Sequence, residues 1–243
     1  MITIDFGLLR RIDPSGLAGA RVLDVGCGSG RHTAEAYRLP AAEIVGVDLS
    51  VGDLASASER MVLHHNLGQH GGGSWHLAAA DVTCLPFDGE CFDLVICSEV
   101  LEHVFEEALA WRELLRVLKP GKLLALSVPR CLPERICWGL SHEYRHTEGG
   151  HVRIYRKTEI LKKLEAAGAI PLRIHYAHSL HTPYWWLKCL VGPGREDSLT
   201  VNLYHRFLTW DIMTKPKITG WLDKLLNPIL GKSLVVYLRK EKK

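Results

Sequence analysis

No apolar run in this 243-residue sequence approaches the roughly 18 residues that a membrane-spanning helix needs. The opening MITIDFGLLRRIDPSG also lacks the basic-then-apolar order of a secretory leader. No C-x-x-C pair occurs among the seven cysteines. Their number is odd and several lie inside apolar runs, which argues against a disulfide framework and for a reduced, cytoplasmic setting. Cys131 and Cys137 with His142 and His146 come nearest to a metal-ligand spacing, but they are too loosely spaced for a zinc site, and no metal is expected. Charge is nearly balanced, 30 basic against 27 acidic side chains, and the one basic cluster is the terminal RKEKK, which reads as a solvated end. Without a basic platform, a nucleic-acid partner is not expected. Internal repeats and low-complexity tracts are also missing. The hydrophobic content of 47% is enough for one well-buried core, or one core with a small cap.

What the sequence does contain is alternation. Short apolar runs at 20–26, 43–50, 75–82, 92–100 and 122–129 read as strands. Helix-like stretches at 32–39, 51–68 and 108–121 lie between them, the last stopped by Pro120 and Gly121. Strands alternating with helices imply an α/β fold with a parallel, doubly wound sheet and a ligand at the C-terminal strand edge. After residue 129 the rhythm breaks. Residues 130–157 read as loop and short helix, 157–168 as a helix, 170–176 as a strand, 177–232 as a segment rich in Trp and Tyr, and 233–239 as a final strand.

Between the first strand and its helix stands RVLDVGCGSGRH, with Gly26, Gly28 and Gly30 at every second position. Glycines at such a hand-over let a ligand approach the backbone closely. The spacing departs from the dinucleotide pattern G-x-G-x-x-G, and no Lys follows as a phosphate loop requires. Asp24, beside the turn, would repel a pyrophosphate and suits a ligand carrying an amino group. Asp48 ends the second strand eighteen residues past Gly30, where a carboxylate can accept ribose hydroxyls or cap the next helix. Farther on come AAADVTCLPFDGECFDLV, ICSEVLEHV and LLRVLKPGKLLALSVP. This ordered set over residues 20–129 resembles the class I S-adenosylmethionine-dependent methyltransferases of the type 11 group. The resemblance implies a Rossmann-like, seven-stranded, mostly parallel sheet whose last strand is antiparallel, entering by a hairpin from 170–176 to 233–239. It implies S-adenosyl-L-methionine as cofactor, held by Asp24, Gly26, Cys27, Gly28, Gly30, His32, Asp48, Leu49, Asp81, Val82, Ser98 and Glu99. Asp81 would reach the adenine amino group and Val82 would pack on the ring. The amino-group methylation motif of nucleic-acid methyltransferases is absent after the fourth strand, where CSEV stands.

Because the sulfonium is an activated donor, the acceptor pocket decides identity, and the protein's task is alignment and proton removal. His103, His146 and His151 are the candidate bases; His103 reads equally as a closing or capping residue. The stretch SHEYRHTEGGHVRIYRK supplies His142, Tyr144, Arg145 and Arg153 as candidate acceptor contacts, and Tyr184, Trp185 and Trp186 form an aromatic wall suited to sugar stacking, a prenyl chain or a membrane interface. The expected organisation is one methyltransferase domain over 1–243, with 130–157 and 177–232 capping the acceptor site. The C-terminal half resembles a bacterial subgroup linked to actinobacterial polysaccharides, which would imply O-methylation of a saccharide or glycolipid hydroxyl. Methylation of a quinone or prenyl lipid, and a cofactor-binding accessory subunit without catalysis, remain the alternatives. The same aromatic segment suits peripheral membrane contact.

Overall fold

A computed structural model describes every residue except Met1, Ser15, Glu148, Glu196 and Lys243. Strands β1 (Arg21–Val25), β2 (Glu43–Asp48), β3 (Ser74–Ala79), β4 (Phe92–Ser98), β5 (Leu118–Pro129), β6 (Ala169–Ala177) and β7 (Ser233–Lys240) form one sheet in the order β3-β2-β1-β4-β5-β7-β6. The first five pair in parallel, and β7 runs antiparallel between β5 and β6. The expected α/β architecture and its antiparallel last strand are both present.

Strand alternation explains why the sheet is covered on both faces. Val22, Ile44, Leu94, Ile96, Leu123, Ala125, Val235 and Tyr237 face one side, where they pack with Phe6 and Leu9 of α1 (Phe6–Ile12), Ala34 of α2 (Arg31–Ala36) and Met61 of α3 (Val51–Asn66). Their neighbours Leu23, Val45, Val95, Leu124, Val236 and Leu238 face the other side, against Trp111 and Leu114 of α4 (Glu107–Val117) and Ile160 and Leu164 of α7 (Lys157–Ala166). A two-sided core needs near-continuous apolar strands, which is how those runs read in the sequence. The edge strand β3 is the exception, with mostly exposed or half-buried side chains.

One expectation changes. Pro120 and Gly121 do not end the fourth-strand helix; it stops at Val117, and β5 begins at Leu118. Leu118 already pairs with Phe92, and the register then shifts before Leu123 pairs with Leu94. Gly121, at φ 75, supplies the left-handed residue that such an irregularity takes.

The late segments are helical: α5 (Cys131–Leu140), α6 (His142–Arg145), α8 (His181–Val191), α9 (Leu199–Thr214) and α10 (Lys217–Leu230). Helix α5 packs on α6 and α8, α8 on α9, and α10 on β6.

Candidate active site

The order 3-2-1-4 reverses at β1, so the chain leaves β1 and β4 in opposite directions and opens a crevice at their C-terminal ends. The glycine turn lies there. Gly26, Gly28 and Gly30 all have positive φ, at 66, 51 and 75°. They serve different ends. A Cβ on Gly26 would lie 2.2 Å from Val100 Cγ2, and one on Gly30 would lie 3.0 Å from Ala57 Cβ, so both permit close packing. A Cβ on Gly28 would meet nothing within 4 Å, leaving that face of the turn open. Asp48 braces it: Gly28 N–H donates to Oδ2 (2.8 Å) and Ser50 N–H to Oδ1 (2.9 Å). Beside Asp48, Leu49 is 71% exposed, an apolar side chain at the rim of the crevice.

Asp24 sits inside rather than on the crevice wall. It is 1% exposed and accepts a hydrogen bond from Thr33 Oγ1 at 2.6 Å. Burial pushes its pKa up to about 7, against the pull of the Thr33 bonds. Cys27 is also turned inward, its buried sulfur near Gly46, and burial drives the thiol pKa well up. His32 Nε2 accepts from the N–H groups of Thr3 and Ile4 (3.0 and 3.3 Å), which ties the N-terminal segment to α2. Its pKa falls to about 4 through burial, so it is a neutral clamp. Asp81 is exposed and holds a turn through Thr83 N–H (2.8 Å), while Val82 is buried in the core rather than presented to a ligand. At the end of β4, Ser98 and Glu99 are joined through the Ser127 hydroxyl, 2.8 Å from each. Glu99 has φ 57, a strained conformation for a non-glycine residue that accumulates at functional sites.

Next to it, a short 3₁₀ turn, Leu101–His103, meets the loop before α7: Val152 N–H donates to Glu102 O (2.8 Å). This brings His103 and His151 together, ring centroids 4.9 Å apart. His151 Nδ1 lies 2.6 Å from Oε1 of Glu134, which is buried on α5. Tyr144 stands 6.4 Å from the His151 ring and 5.8 Å from Trp185, and the Tyr144 hydroxyl donates to Glu134 Oε2 (3.4 Å). Burial and the Glu134 charge push the Tyr144 pKa up. Lys232 Nζ rests over the Trp185 ring, 4.8 Å from its centre. The result is a continuous group of His103, His151, Tyr144 and Trp185 backed by acids.

Other expected acceptor residues lie elsewhere. His146 stacks on His142 at 4.0 Å, both exposed, and its Nδ1 is 2.9 Å from His142 O, so that pair is a local helix-end contact. Arg145 covers Trp138. Arg153 donates to Glu107 and to Phe105 O, so its guanidinium fastens the loop to α4. Tyr184 faces Tyr204 and His205, and Trp186 Nε1 donates to Pro133 O. Sequence reading missed Glu102 and Glu134. Glu102 adjoins His103 within EVLEHV; Glu134 carries no local signal at all. A cavity of about 710 Å³ between α2, α3 and the α9–α10 arm is lined by Arg31, Arg60, His181 and Lys215, and by none of the expected site residues.

Residues 23–126, from β1 into β5, match a family of methyltransferase domains. The chain is 32% identical over 143 residues to a malonyl-[acyl-carrier protein] O-methyltransferase of Legionella pneumophila, covering 57% of this chain and 48% of that one. It is 36% identical over 128 residues to a ubiquinone biosynthesis O-methyltransferase of Aromatoleum aromaticum, covering 49% and 52%. The chain thus spans about half the length of these curated relatives. Among solved structures, an S-adenosylmethionine-dependent methyltransferase of Methanosarcina mazei has the same fold, with a TM-score of 0.61, 15% identity and complete coverage of both chains. So does the [4+2]-cyclase SpnF, with a TM-score of 0.61, 22% identity, and coverage of 98% of this chain and 80% of that one. The glycine turn, the topology and the match over residues 23–126 make this part of the chain similar to the class I methyltransferase domains, whose methyl donor is S-adenosylmethionine.

Proposed function

We propose that this protein transfers the methyl group of S-adenosylmethionine to a hydroxyl of a saccharide or glycolipid-type molecule. The observation that carries this reading is the His103–His151 pair, oriented by buried Glu134 and walled by Tyr144 and Trp185. A carboxylate-held imidazole is the arrangement that manages a hydroxyl proton, and aromatic side chains beside it suit the apolar face of a sugar. The donor would lie along the open face of Gly28, with Asp48, Leu49 and Asp81 at its nucleoside end and Glu99 towards the methyl. Residues 130–157 and 177–232 would cap the acceptor.

A second feature favours a lipid-linked acceptor. Leu199, Leu203, Trp210 and Met213 on α9, and Ile218, Trp221, Leu225 and Ile229 on α10, are exposed at helical spacing. Exposed Lys215, Lys217 and Lys224 stand among them. Such a face suits an anionic membrane surface. Among the described residues no helix is long and apolar enough to cross a membrane. A quinone or prenyl-lipid acceptor uses the same face, and relatives named for ubiquinone and demethylmenaquinone methylation support that alternative.

Incubation with methyl-labelled S-adenosylmethionine and a cell extract split into glycan and lipid fractions tests the proposal. Glycosidase-sensitive label in the glycan or glycolipid pool is expected. Label confined to quinones would move the acceptor to the alternative. Binding of S-adenosylhomocysteine with no transfer to any fraction would refute catalysis and leave an accessory role.

A further inference from the structure

We propose that Glu102, His103 and His151 form a divalent-cation site at the acceptor end of the crevice. One ligand atom from each lies within 4.8 Å of the others, and Glu102 Oε1 is 3.9 Å from His103 Nε2. The second observation is independent of that spacing. Glu102 is fully buried, and neither of its carboxylate oxygens has a hydrogen-bond partner. A buried carboxylate left unsatisfied on both oxygens is a large cost, and native proteins rarely carry one without a counter-group.

The histidine tautomers point the same way. His103 Nδ1 lies 2.9 Å from Gly149 O and 3.2 Å from Gly150 O. Both are acceptors, so the proton sits on Nδ1 and the Nε2 lone pair faces Glu102. His151 Nδ1 is engaged by Glu134, which leaves its Nε2 lone pair as the free donor atom. With Glu102 ionised, three electron-pair donors converge with no hydrogen-bond donor between them. An imidazole whose Nδ1–H is held by a carboxylate or carbonyl, with Nε2 free, is the usual state of a metal-ligating histidine. Glu99 and Glu134 add negative charge around the cluster; Lys232 opposes them. Ligands around one ion sit about 3–3.5 Å apart, so the 3.9 Å gap closes by small side-chain rotations.

Two imidazole nitrogens and one carboxylate favour Zn²⁺, Mn²⁺, Fe²⁺ or Co²⁺ over Mg²⁺ and Ca²⁺, which prefer oxygen shells. The His103 side chain is 40% exposed and that of His151 15%, so one side of the site is open. Open positions there would take the acceptor. This role rests on the acceptor reading above, and it supplies what an imidazole lacks. An alkyl hydroxyl gives up its proton far less readily than an imidazole does, so the Glu134-held imidazole gains from a cation that acidifies the hydroxyl. The hydroxyl proton then leaves to water, the oxygen pair forms the bond to the methyl carbon, and the C–S pair returns to sulfur.

The test is a titration of the chelator-stripped full chain with Co²⁺, read by visible absorption, beside calorimetric binding of S-adenosylhomocysteine. One equivalent should bind with bands typical of N/O ligation. His103→Ala, at the exposed ligand, and Glu102→Gln should each weaken it at least tenfold, with S-adenosylhomocysteine affinity within twofold. No saturable Co²⁺ binding, equal binding in His103→Ala, or a thiolate charge-transfer band would overturn the site. Co²⁺ binding without S-adenosylhomocysteine binding would instead sink the methyltransferase reading and leave the cation site standing.

Discussion

Asp24→Asn should change how stability depends on pH, not merely its size. Asp24 is fully buried in β1 and its carboxyl is held near pKa 7, against 3.8 when exposed. The folded state therefore keeps a proton that the unfolded chain releases. The stabilising contribution is full below pH 3.8 and is lost as pH rises through 7. Three pKa units at 1.36 kcal/mol each give about 4 kcal/mol over the whole window, of which about 2.5 kcal/mol falls between pH 5 and 8. Asparagine keeps the acceptor for Thr33 and cannot ionise. It also buries an amide donor, at a pH-independent cost of about 1–3 kcal/mol. Urea denaturation of both proteins at pH 5 and 8 separates the two effects. Wild type should lose about 2.5 kcal/mol relative to the variant over that range, while other carboxyls cancel in the comparison. Curves parallel to within about 0.5 kcal/mol would show that Asp24 does not titrate there, and the buried-anion argument would fail.

The two glycines of the turn should separate stability from binding. Gly26→Ala drives a methyl into Val100 at a left-handed φ and should cost about 3 kcal/mol or more by denaturation. Gly28→Ala meets no atom within 4 Å and should cost only about 1–2 kcal/mol of backbone strain, while weakening S-adenosylhomocysteine binding in calorimetry; equal stability losses would contradict the packing described. Asp48→Ala removes the acceptor of both Gly28 and Ser50 N–H groups and should weaken S-adenosylhomocysteine at least tenfold, with the circular dichroism spectrum retained. Trp185→Ala should raise KM for the acceptor and leave KM for S-adenosylmethionine unchanged; the opposite split would move Trp185 to the donor side.

Legibility followed the distance over which each signal acts. The β1–β5 frame could be read because strands buried on both faces spell out as continuous apolar runs, Val22 to Val25 and Leu94 to Cys97 among them. Gly26 and Asp48 were readable for the same reason, being fixed to strand ends. Pro120 and Gly121 misled because a helix stop and a strand irregularity use the same residues, and only the pairing of Leu118 with Phe92 distinguishes them. The acceptor end was legible only in part. His103 and His151 were candidates, but nothing local distinguished His151 from His146; the Val152–Glu102 backbone bond does. Glu134 reaches the site only because α5 folds back across it, and a lone acid in a helix gives no sign of that.

The position of β7 gives the chain a direction of assembly. Strand β7 is made after both of the strands it joins, and it is bonded on both sides along Ser233–Lys240. Until it arrives, β5 and β6 each present an open edge, and the hydroxyl of Tyr237 has not yet taken the Asp5 N–H (2.8 Å) that anchors the other end of the chain. The unfinished polypeptide can therefore build β1–β5 but cannot close over them, and during synthesis it is a sticky half-sheet. A stop codon shortly before residue 233 would leave two separated edges rather than a trimmed sheet.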